Sequence, residues 1–169
     1  MIRRGFTVVE LVIIITIMGI LLVLAVVNVR GTQVNARDNE RKGDIEAIAM
    51  SLENFYRSGW DEDTAGYGRY PSYNFMSGGD TDRTLSILGD ISSQNLIAPG
   101  AASVNDSFIA STTNTQTTAA NQPTLSQYIY QSIDSNNVRC TSGNMCRKFN
   151  LYYRLEADNT VYMVTSKNQ

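Results

Sequence analysis

The 169-residue chain has no histidine, only three prolines, two cysteines and a single tryptophan. Lack of histidine removes the commonest metal ligand and the commonest general base. There is also no glycine-rich phosphate loop and no nucleophile elbow. The sequence therefore offers no catalytic constellation and implies no cofactor. Charge is scarce as well: 14 basic side chains against 16 acidic ones give a formal −2, which does not mark a dedicated nucleic-acid binder. The length suits one domain with a modest core.

Against these absences stands the first stretch of the chain. Arg3 and Arg4 are followed by Gly5-Phe6-Thr7-Val8-Val9-Glu10, and then by an apolar run from Leu11 to Val29. Thr16, Gly19 and Asn28 interrupt it mildly, and no charge appears between Glu10 and Arg30. As a helix the run would be about 28 Å long, close to one hydrocarbon thickness. The basic pair should stay cytoplasmic and place everything after Arg30 outside. A secretory peptide shares the basic start and apolar core, but it ends in a small-residue cleavage site. Glu10 argues against that reading, because an acid inside a discarded segment is a cost without a use.

Gly5-Phe6-Thr7-Val8-Val9-Glu10-Leu11 at the head of an unbroken apolar run resembles a type IV prepilin or pseudopilin. The resemblance is strong over residues 1 to about 60 and holds only in outline beyond. It implies a leader, residues 1–5, cut between Gly5 and Phe6 by a prepilin peptidase. It also implies N-methylation of Phe6 and a role in assembly for Glu10. Independently, a lone carboxylate in a packed apolar bundle is expensive unless paired, and the freed amine of Phe6 in a neighbouring subunit is a candidate partner. Partners follow from the resemblance: copies of the chain in a helical filament, an assembly platform with its ATPase, and the membrane before assembly. So does a location, first as a single-pass protein of the inner membrane and then in an extracellular surface filament serving adhesion or twitching motility. Removing Arg3 and Arg4 with the leader leaves 12 basic side chains against 16 acidic, a formal −4. The chain departs from the family where many members carry a kinking proline, at Val27. Either the helix is continuous there, or any loosening centres on Gly19 and Gly31.

Residues 30–56 contain no proline and read as the same helix continued. Ile45, Ile48, Ala49, Leu52, Phe55 and Tyr56 share one face at 100° per residue, with Val34 on the same line, which predicts packing against a head. Asp38 and Arg41 also fall on this stripe and are read as lying outside the head core. They are either a solvated face or part of a stretch, Asn28 to Asp44, that contacts neighbouring subunits. The helix should end at Ser58-Gly59, with glycine at the cap. Phe6 to Ser58 would span roughly 80 Å, more than a head of the remaining residues can cover. Much of it must lie in lipid or against other copies.

The expected fold is therefore α+β. A long N-terminal helix (6–59, with 6–29 as membrane span or filament core) should pack against a small antiparallel sheet in a globular head (60–169). Gly68-Arg69-Tyr70-Pro71 resembles a turn that often follows the long helix in pilins, and suggests an aromatic loop packed on it. The flanking acids Asp61-Glu62-Asp63 and Asp80-Thr81-Asp82 are solvated loops or, as in some pseudopilin heads, calcium ligands, although neither has the spacing of a known calcium loop. Leu85 to Leu96 reads as a short amphipathic helix despite Gly89. Ala101 to Gln127, rich in Ser, Thr, Asn, Gln and Ala, reads as an exposed loop with little core of its own. It holds a glycosylation sequon at Asn105-Asp106-Ser107 and a Thr-rich run open to O-glycosylation.

Three alternating segments then read as strands: 127–133, 149–156 and 160–166, the last two joined by a turn at Ala157-Asp158-Asn159. In an exported chain Cys140 and Cys146 form a disulfide by default. Two thiols without histidine cannot close a zinc site, and the spacing is not Cys-x-x-Cys. Arg139, Arg147 and Lys148 beside them are either scattered surface charge or a patch for DNA or another anionic or host surface. Three functional classes remain open from the sequence: a major pilin, a minor pilin or type II secretion pseudopilin, and a monomeric membrane-anchored adhesin.

Overall fold

The computed structural model describes residues 5–59, 67–77, 79–89, 91–113, 121–141 and 146–168, with residues 27–30 described for their backbone only. A 51-residue helix, α1 (Val8–Ser58), begins the described fold. It is unbroken through Gly19, Val27 and Gly31, so the absence of proline leaves a continuous helix in the single chain. Its C-terminus falls where the sequence placed it. Gly59 takes φ +67°, and its N–H donates to Phe55 O at 2.8 Å, a left-handed cap that needs glycine's freedom. The chain divides into two compact units, Met1–Ala36 and Arg37–Gln169.

In the second unit four short elements follow α1: α2 (Tyr73–Met76), α3 (Thr81–Leu88), a 3-10 turn (Ser93–Leu96) and α4 (Val104–Ser107). Asp80 caps α3 by accepting from Arg83 N at 3.0 Å. The helix expected over Leu85–Leu96 is instead two pieces. Gly89, at φ +65°, ends α3, and the 3-10 turn resumes beyond it, so Leu88 and Leu96 both still reach the core.

The sheet has four strands in the order β1 (Phe108–Ala110), β2 (Tyr128–Ile133), β3 (Lys148–Arg154) and β4 (Val161–Thr165). It is mixed, which corrects the antiparallel expectation. β2–β3 and β3–β4 are antiparallel, but β1 runs parallel to β2 with Phe108 opposite Tyr128. The connection 111–127 is long enough to carry the chain back to the start of a parallel neighbour, as a hairpin cannot.

The alternation read in the strands holds. Tyr128, Tyr130, Phe149, Leu151, Tyr153 and Leu155 are buried with Ile45, Ile48 and Leu52 of α1 in one core. On the opposite face lie Gln131 and Tyr152, also buried, and here the loop reading of 101–127 needs correction. Among its described residues, Val104, Phe108, Ser111 and Asn121 are buried. Ser111 N donates to Tyr130 O at 2.7 Å, Gln131 Nε2 to Thr113 O at 3.2 Å, and Arg154 Nε to Pro123 O at 2.8 Å. Val104 and Phe108 anchor the segment in the core, and hydrogen bonds hold the rest, which is why its polar composition reads as exposed. Most of the Thr-rich run, 114–120, lies outside the described residues.

Candidate functional site

The start of α1 is built by a reciprocal cap. Thr7 precedes the first helical residue, and Glu10 sits three positions on. Thr7 N and Thr7 Oγ1 each donate to Glu10 Oε2 at 3.0 Å, and Glu10 N donates back to Thr7 Oγ1 at 3.2 Å. These bonds satisfy two of the N–H groups that a helix start leaves without partners. The sequence reading isolated Glu10 but missed Thr7. The signal was present as Thr-x-x-Glu ahead of an apolar run. Gly5 and Phe6, the expected cleavage and methylation positions, precede the helix and are exposed, Phe6 by 78%. Met1 to Arg4 lie outside the described residues.

Beyond the cap, every described side chain from Leu11 to Val26 is exposed in the single chain. Mean hydropathy over the most apolar 18 residues of α1 is 3.0, so the helix is long and apolar enough to cross a membrane. Thr16 does not spoil the surface, because its hydroxyl is bonded to Val12 O and to Ile13 O within the helix. Gly19 opens a shallow apolar notch on this surface, lined by Ile15, Thr16, Ile20, Val23 and Leu24.

In the second unit, the charges expected outside the head are inside it. Asp38 and Arg41 are only 4% and 2% exposed. Arg41 Nη1 donates to Asp38 Oδ1 at 2.9 Å, and Arg41 Nε to Leu125 O at 2.9 Å. Asp38 also accepts the backbone N–H groups of Glu156 at 2.8 Å and Ala157 at 3.0 Å. Arg37 grips the Glu156 carboxylate with two bonds, at 2.8 and 2.6 Å. The stripe reading failed because most of the groups that satisfy these charges are distant in sequence: Leu125 O, 84 residues from Arg41, and the Glu156 and Ala157 amides of the β3–β4 turn, 118 and 119 residues from Asp38. Burial pushes the Asp38 pKa up, but the two backbone donors and Arg41 outweigh it and hold the carboxyl below its ordinary value.

Two more carboxylates join α1 to the head. Asp44 accepts from Tyr128 Oη at 2.7 Å and Asn95 Nδ2 at 3.1 Å, and burial raises its pKa. Glu53, also buried, accepts from Tyr70 Oη at 3.0 Å, Lys167 N at 2.8 Å and Asn168 Nδ2 at 2.9 Å. Burial pushes the Tyr70 hydroxyl up to about 12. The Tyr-Pro loop is thus packed on α1 as expected, with Tyr70 against Tyr56 and edge-on to Phe149.

Cys140 and Cys146 form a disulfide. Its two ends hold the Tyr-Pro loop: Tyr70 N donates to Cys146 O and Tyr73 N to Cys140 O, each at 2.9 Å. The nearby basic residues are partly engaged in the same task. Arg139 donates to Thr112 O at 2.7 Å and lies over the Tyr73 ring. Arg147 donates to Gly68 O at 3.2 Å. The sequon is also occupied: Ser107 is buried, and its hydroxyl accepts from Ala98 N at 2.7 Å. Of the acidic clusters, Asp61-Glu62-Asp63 lies outside the described residues and Asp80 is a helix cap. Among the described residues no group of three or more potential ligands is gathered for a metal ion. Comparison of the chain with family models, curated proteins and solved structures returned no match.

Proposed function

We propose that the chain is a structural subunit, not an enzyme, of a type IV pilus-like surface filament. It is stored in the membrane through α1, freed of residues 1–5 by a prepilin peptidase, methylated at Phe6, and polymerised by an assembly platform and its ATPase for adhesion or motility. One observation carries this reading. The apolar side chains of α1 from Leu11 to Val26 are exposed in a single chain, and among the described residues before Leu11 Glu10 is the one charged side chain. Such a surface requires lipid or other copies of itself, since leaving it in water forfeits roughly 25 cal/mol for each Å². Between helices in lipid the gain comes from packing and polar pairing, not from the hydrophobic effect. The charge of Glu10, which Thr7 caps but does not neutralise, then becomes a device for register, because a charge among apolar helices is costly unless paired.

Intact-mass and N-terminal analysis of protein sheared from the cell surface tests the proposal. The expected result is abundant chain beginning at methylated Phe6 with the disulfide closed. The same processed chain confined to the membrane fraction would point to a minor pilin or secretion pseudopilin. A chain that keeps Met1 in the membrane would overturn the proposal in favour of an anchored adhesin.

A further inference from the structure

β4 ends the sheet on one side, and among the described residues no strand lies beyond it. Which of its backbone groups face outward follows from the ladder. Ser166 N donates to Phe149 O at 3.0 Å and Leu155 N to Thr160 O at 3.1 Å. In the register that sets Leu151 opposite Val164, antiparallel alternation turns the backbone of Tyr162 and Val164 toward β3. The N–H and C=O groups of Val161, Met163 and Thr165 then point away from the sheet. Natural edges are usually blunted by charge, proline or a bulge. This one reads Val-Tyr-Met-Val-Thr and exposes Tyr162 by 38% and Met163 by 51%. Beside it, on the core side, runs a cavity of about 540 Å³ whose walls include Phe149 and Val164 of the sheet, Gly43, Ala47 and Met50 of α1, and Lys167.

The edge is complementary to itself. Place two copies antiparallel with Met163 opposite Met163, and Val161 meets Thr165 while Tyr162 meets Val164. All three outward-facing residues of each strand then fall in hydrogen-bonded pairs, for about six bonds in total. Tyr162 of each copy pairs with a β-branched neighbour, Val164 of the other, a favourable cross-strand combination. The charges also match: the Asp158 end of one strand comes beside the Lys167 end of the other.

We propose that β4 is a self-recognition edge through which two copies of this chain join head to head, with Met163 on the two-fold axis. Such an isologous contact closes on itself and does not propagate a helix. It therefore goes beyond assembly through α1: it links pairs of heads, and between filaments it is a lateral tie.

Single-cysteine variants of the full chain in detergent micelles test the register. Residues in a hydrogen-bonded antiparallel pair have Cα atoms about 5.5 Å apart, within the span of a disulfide. Mild oxidation of Met163→Cys should give covalent dimer at least roughly tenfold above a control at the exposed position Asp82 of α3, Asp82→Cys. Val161→Cys alone should stay at the control level, yet link when mixed with Thr165→Cys. Met163→Lys, which sets two cations face to face at an exposed position, should abolish the non-covalent head contact. Dimer at the control level for Met163→Cys, or equal linking by Val161→Cys alone, would overturn the proposal. Because the readout needs no filament, its failure is distinct from failure of the filament reading.

Discussion

Asp38 and Arg41 are the residues at which local chemistry most constrains the head. Arg41 is buried with two carboxylates near it, Asp38 at 2.9 Å and Glu156 at 3.7 Å. Removing one partner of such a pair leaves a buried charge uncompensated, and the loss commonly exceeds what the pair itself contributes. Asp38→Ala also strands the backbone N–H groups of Glu156 and Ala157. Chemical denaturation should show a loss of about 3–5 kcal/mol, and a loss near zero would mean that Arg41 finds water in the variant. The pH dependence has a definite sign. The folded-state pKa of Asp38 lies below its ordinary 3.8, so its contribution is complete above about pH 4 and is lost as pH falls through the lowered value.

Asp44 has the opposite sign. Burial raises its pKa above 3.8, so the fold favours its protonated form, and the associated stability is lost as pH rises through the raised value. Asp44→Asn imitates the protonated acid at every pH and can still accept one of the two bonds from Tyr128 and Asn95. The stability difference between variant and wild type should move in favour of the variant as pH climbs from 3 to 7. A difference that stays constant across that range would mean Asp44 titrates as it does in the unfolded chain.

Among the elements, those read correctly from sequence were the ones whose causes are local. The α1 stripe, the stop at Gly59 and the alternation of Phe149, Leu151, Tyr153 and Leu155 each need only neighbours within a turn or a strand. What escaped was non-local. β1 is three residues long, parallel, and embedded in polar sequence, and its existence depends on a register with β2 across the 111–127 connection. Asp38 and Arg41 look like surface charges until the β3–β4 turn arrives, and Thr7 was overlooked beside the more conspicuous Glu10. The Cys140–Cys146 bridge shows how a local closure gains reach. It closes a short loop, worth about 2–3 kcal/mol in the chain-entropy model, but its carbonyls also hold the amides of Tyr70 and Tyr73. Replacing both cysteines with serine should lower stability by that amount. Hydrogen exchange should quicken first at the Tyr70 and Tyr73 amides, ahead of the β2–β3 ladder. Uniform quickening through the sheet would place the bridge in the global core instead.

At the scale of the molecule the two compact units ask for different surroundings. Residues 37–169 bury a core of their own, whereas the described side chains of residues 5–26 are exposed and apolar from Leu11 onward. The carboxylate at their head already has a partner within the chain, since Thr7 holds Glu10 through three hydrogen bonds. On the proposed filament reading Glu10 would serve two separable purposes: the cap acceptor for its own helix that the structure shows, and a charge to offer a neighbour's amine. Glutamine also completes a capping box but carries no charge, so Glu10→Gln separates the purposes where Glu10→Leu removes both. If charge pairing drives assembly, both variants should be processed between Gly5 and Phe6 and both should yield little sheared filament. If the cap is what matters, glutamine should restore the yield and leucine should not. Wild-type yield from Glu10→Leu would remove Glu10 from assembly altogether, leaving packing of the apolar helices as the sole source of cohesion.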